Sequence, residues 1–364
     1  MGATTLTLPP GGYDDFHVHL RQGALGTFAV KQLVASGARL AYVMPNTVPP
    51  VTTTAQALAY RDWLVAQAPA PHLRYCMTLY LSPEVTPEEI ERAAAAGIVG
   101  VKSYPKGVTT NSDAGVGEYD AYFPTFAAME RLGMVLNLHG ELPSNDAEGI
   151  HVMNAEERFL GHLERLHKRF PRLRIVLEHC TTAAAIQTVE RLGPTVAATI
   201  TVHHLSLTVN DWAGQPHNFC KPVAKTAADR DALLQAVRSG NPKFFLGTDS
   251  APHVRARKEG PATAAGVFTG AYVMPYLAEV LSRIGALDRL VPFATAYGRA
   301  FYQLPANGAD DGAARAAAPA VTLCPDPDAT IPAELTFVDE TGATTAVVPF
   351  AASQKMGWRL DRAV

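Results

Sequence analysis

Two histidines separated by a single residue, His17 and His19, close a short apolar run near the start of a 364-residue chain. Residues two apart in a strand point to the same side, so both imidazoles can grip one ion from adjacent rungs. The plain alternative is a pair of half-buried histidines satisfied by backbone groups. Three further donors shift that balance: His139 and His179 each end a later apolar run, and Asp249 ends the last one. Imidazole and carboxylate together suit zinc and similar divalent ions. Lys102, inside another run, is the odd member, because an ammonium repels a cation. Either it forms a salt bridge to Asp249 or another acid, or it is neutral and carbamylated by carbon dioxide, becoming a bidentate anion able to bridge two metals. With four histidines and one aspartate to divide between two ions, such a bridge would complete both sites.

Donors this far apart in sequence need a scaffold that gathers them. Apolar runs rich in β-branched residues recur at Asp15–His19, Leu40–Asn46, Tyr75–Leu81, Val99–Tyr104, Val135–Gly140, Arg174–Cys180, Val196–His204 and Lys243–Ser250, and they read as buried parallel strands. Amphipathic or Ala-rich stretches with helix start and stop signals follow them. In Thr86–Ala96, Thr86 caps, Pro87 takes the first helical position, Glu89 completes a capping box and Gly97 stops the helix. The stretches from Asn154 and Thr226 follow the same logic. Eight strands joined by helical crossovers predict an α/β fold, a closed (β/α)8 TIM barrel, whose C-terminal strand ends form one functional face. All six donors then converge. The barrel is expected over residues 1–304, with 305–364 as an extension packed on it. Within that extension, ANGADDGAARAAAP (306–319) reads as a loop or linker, and the pieces from Ala333 and Thr344 as a small C-terminal β-decoration.

Composition narrows the function classes. With 48% hydrophobic residues, 18% charged and a net charge of -3, the chain can bury a large core and exerts no broad pull on nucleic acid or anionic membrane. A small-molecule substrate is the expected partner, with a homodimer as the assembly to consider. Two uncharged stretches, Leu192–Asn210 and Gly260–Ala278, are long enough to span a bilayer, but His203, His204, Gly266, Gly270 and Pro275 interrupt them. The four cysteines have no paired spacing, and the N-terminal MGATTLTLPPGG lacks an export pattern, so the expected location is cytoplasmic.

The runs DFHVHLR at Asp15, MPNT at Met44, VKSYPKGVTTNS at Val101, LNLHGE at Leu136, LEHCTT at Leu177 and GTDSAPH at Gly247 together resemble the amidohydrolase superfamily, and within it the dihydroorotases of bacterial and fungal type. The likeness runs in order from about Asp15 to Gly266, while the tail beyond 305 is less distinctive. The resemblance implies an enzyme with two zinc ions, one held by His17, His19 and Asp249 and the other by His139 and His179. Carboxylated Lys102 and a hydroxide would bridge them, and Asp249 would shuttle the catalytic proton. It further implies that Arg21, Asn46 and His253 hold a substrate carboxylate and that backbone near Lys221 and Ala265 meets the substrate ring. Thr109 and Thr110 match a mobile loop that closes over bound substrate.

Read physically, Arg21 lies two residues beyond His19 on the same side and offers the planar fork suited to a carboxylate. Without the motif it would be an ordinary rim arginine. His203 and His204 end the seventh run, yet the five nonbridging ligand places are already filled, so they are not assigned as ligands. The expected reaction is the reversible cyclisation of N-carbamoyl-L-aspartate to L-dihydroorotate in pyrimidine synthesis. One rival is a hydantoinase or dihydropyrimidinase, whose substrates lack the ring carboxylate that Arg21, Asn46 and His253 would hold. The other is an inactive structural homologue in a carbamoyltransferase assembly, which would be expected to have lost metal ligands.

Overall fold

Every apolar run named above lies in or beside one eight-stranded parallel sheet in the computed structural model, which describes residues 5–304 and 318–362. Its strands are Tyr13–Val18, Ala38–Val43, Arg74–Tyr80, Gly100–Ser103, Val135–His139, Arg174–Glu178, Val196–Ile200 and Phe244–Leu246, paired in chain order. A helix follows each: Gly23–Ala35, Thr54–Gln67, Pro87–Ala95, Phe123–Leu132, Ala155–Arg169, Ala183–Arg191, Ala227–Ser239 and Val273–Arg283. This is the expected (β/α)8 barrel. The first and last strands meet at a parallel bridge between Val18 and Ser250. There the Asp249 N–H donates to the His17 carbonyl at 2.8 Å, and the His19 N–H to the Ser250 carbonyl at 3.1 Å. Side chains brace the same seam, the Asp15 carboxylate accepting from the Thr248 N–H at 2.9 Å and its hydroxyl at 2.6 Å.

Two apolar layers hold the strands. Val43, Leu79, Leu136, Ile175 and Ile200 pack outward beneath the helices. Phe16, Leu40, Tyr42, Val135, Val176, Phe245 and Tyr302 fill the interior, where Phe16 stacks on Tyr302 at 4.9 Å and meets Phe245 edge-on at 5.3 Å. The register of the first strand against the second slips between Asp15 and Val18. This bulge lets sequence neighbours Phe16 and His17 both reach inward. Tyr302 arrives on the helix Tyr297–Tyr302, which comes so close that a Cβ at Gly298 would lie 2.2 Å from the Phe16 ring.

The ends of elements depart from the sequence pattern for local reasons. The seventh strand stops at Ile200, four residues before the end of its apolar run, because the Thr201 hydroxyl accepts from the His204 N–H at 3.0 Å and turns the chain. Thr86 caps the helix from Pro87, but the expected capping box is not completed. The Glu89 carboxylate accepts instead from the N–H and hydroxyl of Thr54 on the preceding helix. Thr226 and Asp229 do form a capping box, whereas Asn154 uses its side chain to accept from the His151 N–H.

Beyond the barrel, Leu335–Val338 and Thr344–Val347, the pieces expected as a small β-decoration, pair antiparallel. A second antiparallel sheet, absent from the sequence reading, joins Leu6–Thr7, Val321–Pro325 and Trp358–Arg362. The division after residue 304 and most of the expected linker fall on residues 305–317, outside the described residues. Among the described residues no helix is long and apolar enough to cross a membrane.

Asp14, fully buried, accepts two hydrogen bonds from Arg39 and two from Arg299, all between 2.6 and 2.9 Å. Removing one member of such a network strands charge in the interior at a cost of about 3–5 kcal/mol. Asp14→Ala is therefore expected to lose that much stability in denaturant unfolding; a loss below about 1 kcal/mol would show that the guanidinium groups are satisfied without the carboxylate.

Candidate active site

The C-terminal strand ends enclose a small pocket. His17, His19, Arg21, Asn46, Thr109, Thr110, His139, His179, Lys221, Asp249 and Ala265 line it, together with Tyr104 and Gly266. Of the sequence candidates only Lys102 and His253 stand behind this lining. Three residues reach the pocket through left-handed backbone, Arg21 at φ +58°, His179 at +41° and Asp249 at +48°. Each such conformation costs a non-glycine residue about 1–3 kcal/mol, a strain typical of sites where side-chain direction matters more than local comfort.

His17, His19 and Asp249 place ligand atoms within 4.8 Å of one another. Asp249 Oδ1 lies 3.0 Å from His19 Nε2 and 3.3 Å from His17 Nε2. The His139 and His179 rings are 4.7 Å apart, and His179 is 5.0 Å from the His17 ring. Outer partners hold the far nitrogens: Glu178 Oε2 at 2.6 Å from His17 Nδ1, Asn46 Oδ1 at 2.8 Å from His19 Nδ1, and Glu141 Oε2 at 2.8 Å from His139 Nε2. An imidazole that donates outward presents its other nitrogen as a lone pair, the form a metal takes.

Charge in the pocket follows from burial and from these pairs. Burial lowers His19 to about 4, His139 below its ordinary value and His179 well below it, so all three are neutral near pH 7. Burial also pulls on His17, but Glu178 and Asp249 outweigh it and raise that ring. Burial pushes Asp249 upward, and its close contacts with His17 and His19 overcome it, holding the carboxyl well below its usual range. Lys102 is fully buried, and its Nζ has no hydrogen-bond partner among the described residues, so the salt bridge to Asp249 is not made. Burial lowers that amine to about 8 against the attraction of Glu178 and Asp249. A buried amine without a hydrogen-bond partner, drawn by two carboxylates and set beside neutral imidazoles, fits the surroundings of a divalent metal centre.

Beside the histidines, Arg21 Nε donates to the Pro252 carbonyl at 3.1 Å, which orients the guanidinium fork, and Nη2 lies 3.1 Å from His253 Nε2. Asn46 is engaged on both ends, by His19 and by the Thr110 carbonyl, which accepts from Nδ2 at 3.0 Å. The Thr110 hydroxyl donates to the Ala265 carbonyl at 3.3 Å, so the loop carrying Thr109 and Thr110 spans the mouth from Asn46 to Ala265.

Glu178, Glu141 and Tyr104 were not picked out from the sequence. Alternation along the sixth strand sends Glu178 and His179 to opposite faces, but the left-handed turn at His179 swings it back toward His17, which Glu178 also touches. A carboxylate flanking a ligand-type histidine, as in LNLHGE and LEHCTT, was the available signal. His203, His204 and Cys220 form a second metal-type cluster. Its His204 already meets Thr201 and the Pro222 carbonyl, and Cys220 donates to the same carbonyl, so these two are occupied without an ion.

The family profile described as amidohydrolase matches residues 15–291, which places the barrel and its strand-end histidines in that class. Dihydroorotases of Mycosarcoma maydis and of Azoarcus sp. are 44% and 43% identical, the first over all of both chains and the second over 99% of this chain and 100% of the relative. The crystal structure of Saccharomyces cerevisiae dihydroorotase in complex with 5-fluoroorotic acid superposes with a TM-score of 0.90 at 40% identity, covering 99% of each chain. The chain belongs to the dihydroorotase family of amidohydrolases, hydrolases that act on a cyclic amide.

Glu178 would bear on metal retention through its contact with His17. Glu178→Gln is expected to weaken it about 10–100-fold, the usual effect of losing an orienting carboxylate. Competition against a chelator measures this, and an unchanged affinity would reduce Glu178 to a packing role.

Proposed function

We propose that the chain is a zinc-dependent dihydroorotase that interconverts N-carbamoyl-L-aspartate and L-dihydroorotate in pyrimidine synthesis. The observation that carries this reading is a single pocket in which a fixed guanidinium fork faces a cluster of neutral histidines and an ionised aspartate. The yeast relative's ligand, 5-fluoroorotic acid, is likewise a cyclic ureide bearing a carboxylate. His17, His19 and Asp249 would hold one ion, His139 and His179 the other, and carbamylated Lys102 would join them. The neutral fraction of the Lys102 amine attacks carbon dioxide, releases a proton and leaves a carbamate anion in place of an unpaired cation. When bound, the two ions lower the pKa of water and polarise the amide carbonyl.

The chain's own groups do the rest. Arg21, with His253 behind it, binds the substrate carboxylate and sets the ring against the histidines. Asp249, with Oδ1 tied to His17 and His19, takes a proton from attacking water at Oδ2 and delivers it to the ring nitrogen as the C–N bond breaks. Ring closure reverses these transfers. The loop of Thr109 and Thr110 excludes bulk water. The four cysteines are all unpaired, which suits work in the reducing cytoplasm.

Metal analysis paired with assays on both substrates tests the reading: two zinc ions and turnover in both directions are expected, and clean protein with less than one metal and no turnover refutes it. Lys102→Ala should lose most bound metal and most activity, with partial recovery of both in a short carboxylic acid such as propionate. Normal metal content in that variant would remove the bridge. Arg21→Met removes a charge-assisted contact worth about 1.5–3 kcal/mol, a drop in kcat/KM of roughly 10–150-fold with zinc retained. Unchanged kinetics on dihydroorotate would favour a cyclic amidase indifferent to the carboxylate.

A further inference from the structure

Lys258 has no part in the chemistry above, yet it is one of the most constrained side chains in the molecule. It ends the short helix Arg255–Lys258 and is only 3% exposed. Its ammonium donates to the carbonyls of Phe219 at 2.8 Å, Ala264 at 2.9 Å and Gly266 at 2.7 Å. An ammonium has three donors, and all three are used on backbone oxygens. A lysine buried for stability alone would more commonly meet a carboxylate.

The three carbonyls belong to two segments that form one wall of the pocket. Lys221 follows Phe219 by two residues, and Ala265 stands between Ala264 and Gly266. Successive carbonyls of an extended chain point to opposite sides. With the Ala264 and Gly266 oxygens drawn to Lys258, the Ala265 oxygen turns the other way, where it meets the Thr110 hydroxyl and His253 Nε2 at 3.3 and 3.0 Å. The ammonium thus bridges the two segments, beside a direct backbone bond in which the Gly266 N–H donates to the Phe219 carbonyl at 3.0 Å. Gly266 itself, at φ +153°, would bring a Cβ to 2.8 Å from the Ala251 carbonyl, so the wall approaches that segment too closely for a side chain at this position.

We propose that Lys258 is a positioning residue whose ammonium holds the Lys221 and Ala265 backbone in the orientation that receives the substrate ring. This rests on the reading of the pocket as a cyclic-amide site. Lys258 touches neither the histidines nor Asp249 among the described hydrogen bonds, so its loss acts on ring capture and leaves metal in place.

The test compares wild type with Lys258→Met, which keeps the length and loses every donor, and Lys258→Gln, which keeps two donors without charge. Steady-state kinetics on dihydroorotate, zinc content and backbone hydrogen exchange over residues 216–222 and 261–268 are measured for each. Lys258→Met should raise KM about tenfold or more with kcat within about threefold, retain zinc, and exchange faster in both segments, with Lys258→Gln between it and wild type. Wild-type KM or unaltered exchange in Lys258→Met overturns the proposal, as does loss of zinc and cooperative folding in both variants, which would make Lys258 a stability residue. A wild type that does not turn over dihydroorotate refutes the functional reading instead, and the exchange data still decide whether Lys258 sets the wall.

Discussion

A parallel barrel must join its first strand to its last, and here the residues of that junction are also residues of the pocket. The His17 carbonyl and the His19 N–H bond directly to the Asp249 and Ser250 backbone, while the side chains of His17, His19 and Asp249 meet within a few ångströms on the inner side. Asp15 and Thr248 lock the register from below. Any ion held by those three side chains would therefore clasp the seam, and any slippage of the seam would separate them. Stability and metal affinity are coupled in such a site, because the donor geometry exists only when the ring is closed.

Closure in turn forces ionisable groups into a space with little water. Glu178, Asp249 and Glu141 are all buried, and their charge is balanced by histidine hydrogen bonds and by Lys102 at a distance, with Lys225 Nζ 3.8 Å from Glu141 Oε1. Glu178 is held further by Thr199 and by Asn137, which also bonds the Tyr302 hydroxyl. That chain of contacts runs from the helix at Tyr297–Tyr302 through the barrel interior to His17, linking the plug of the barrel to its functional rim.

Much of this was legible in the sequence because barrel strands are short, apolar and punctuated. The runs around His17, His139 and His179 ended where side chains enter the pocket, and the (β/α)8 order followed from counting them. What the sequence hid was decided by tertiary partners. Glu89 carried a capping signature and spent its carboxylate on Thr54; the run through His204 kept its β-branched character past the point where Thr201 turns the chain. The sheet that Val321–Pro325 makes with Leu6–Thr7 joins segments too distant for any local pattern to announce. Lys258 gave no signal, since a lysine in ARKEG reads as solvated until its three carbonyl partners are seen.

The seam also has a place in time. Asp15 and Thr248 are 233 residues apart. At ribosomal speeds of about 5–20 residues per second, the first strand waits roughly 10–50 s for its final neighbour. During that interval the growing sheet has an open edge and an incomplete interior, and Phe16 lacks both Phe245 and Tyr302. Until the last strand is made, the nascent chain therefore carries an open sheet edge and uncovered apolar surface, which a chain held by local contacts alone does not.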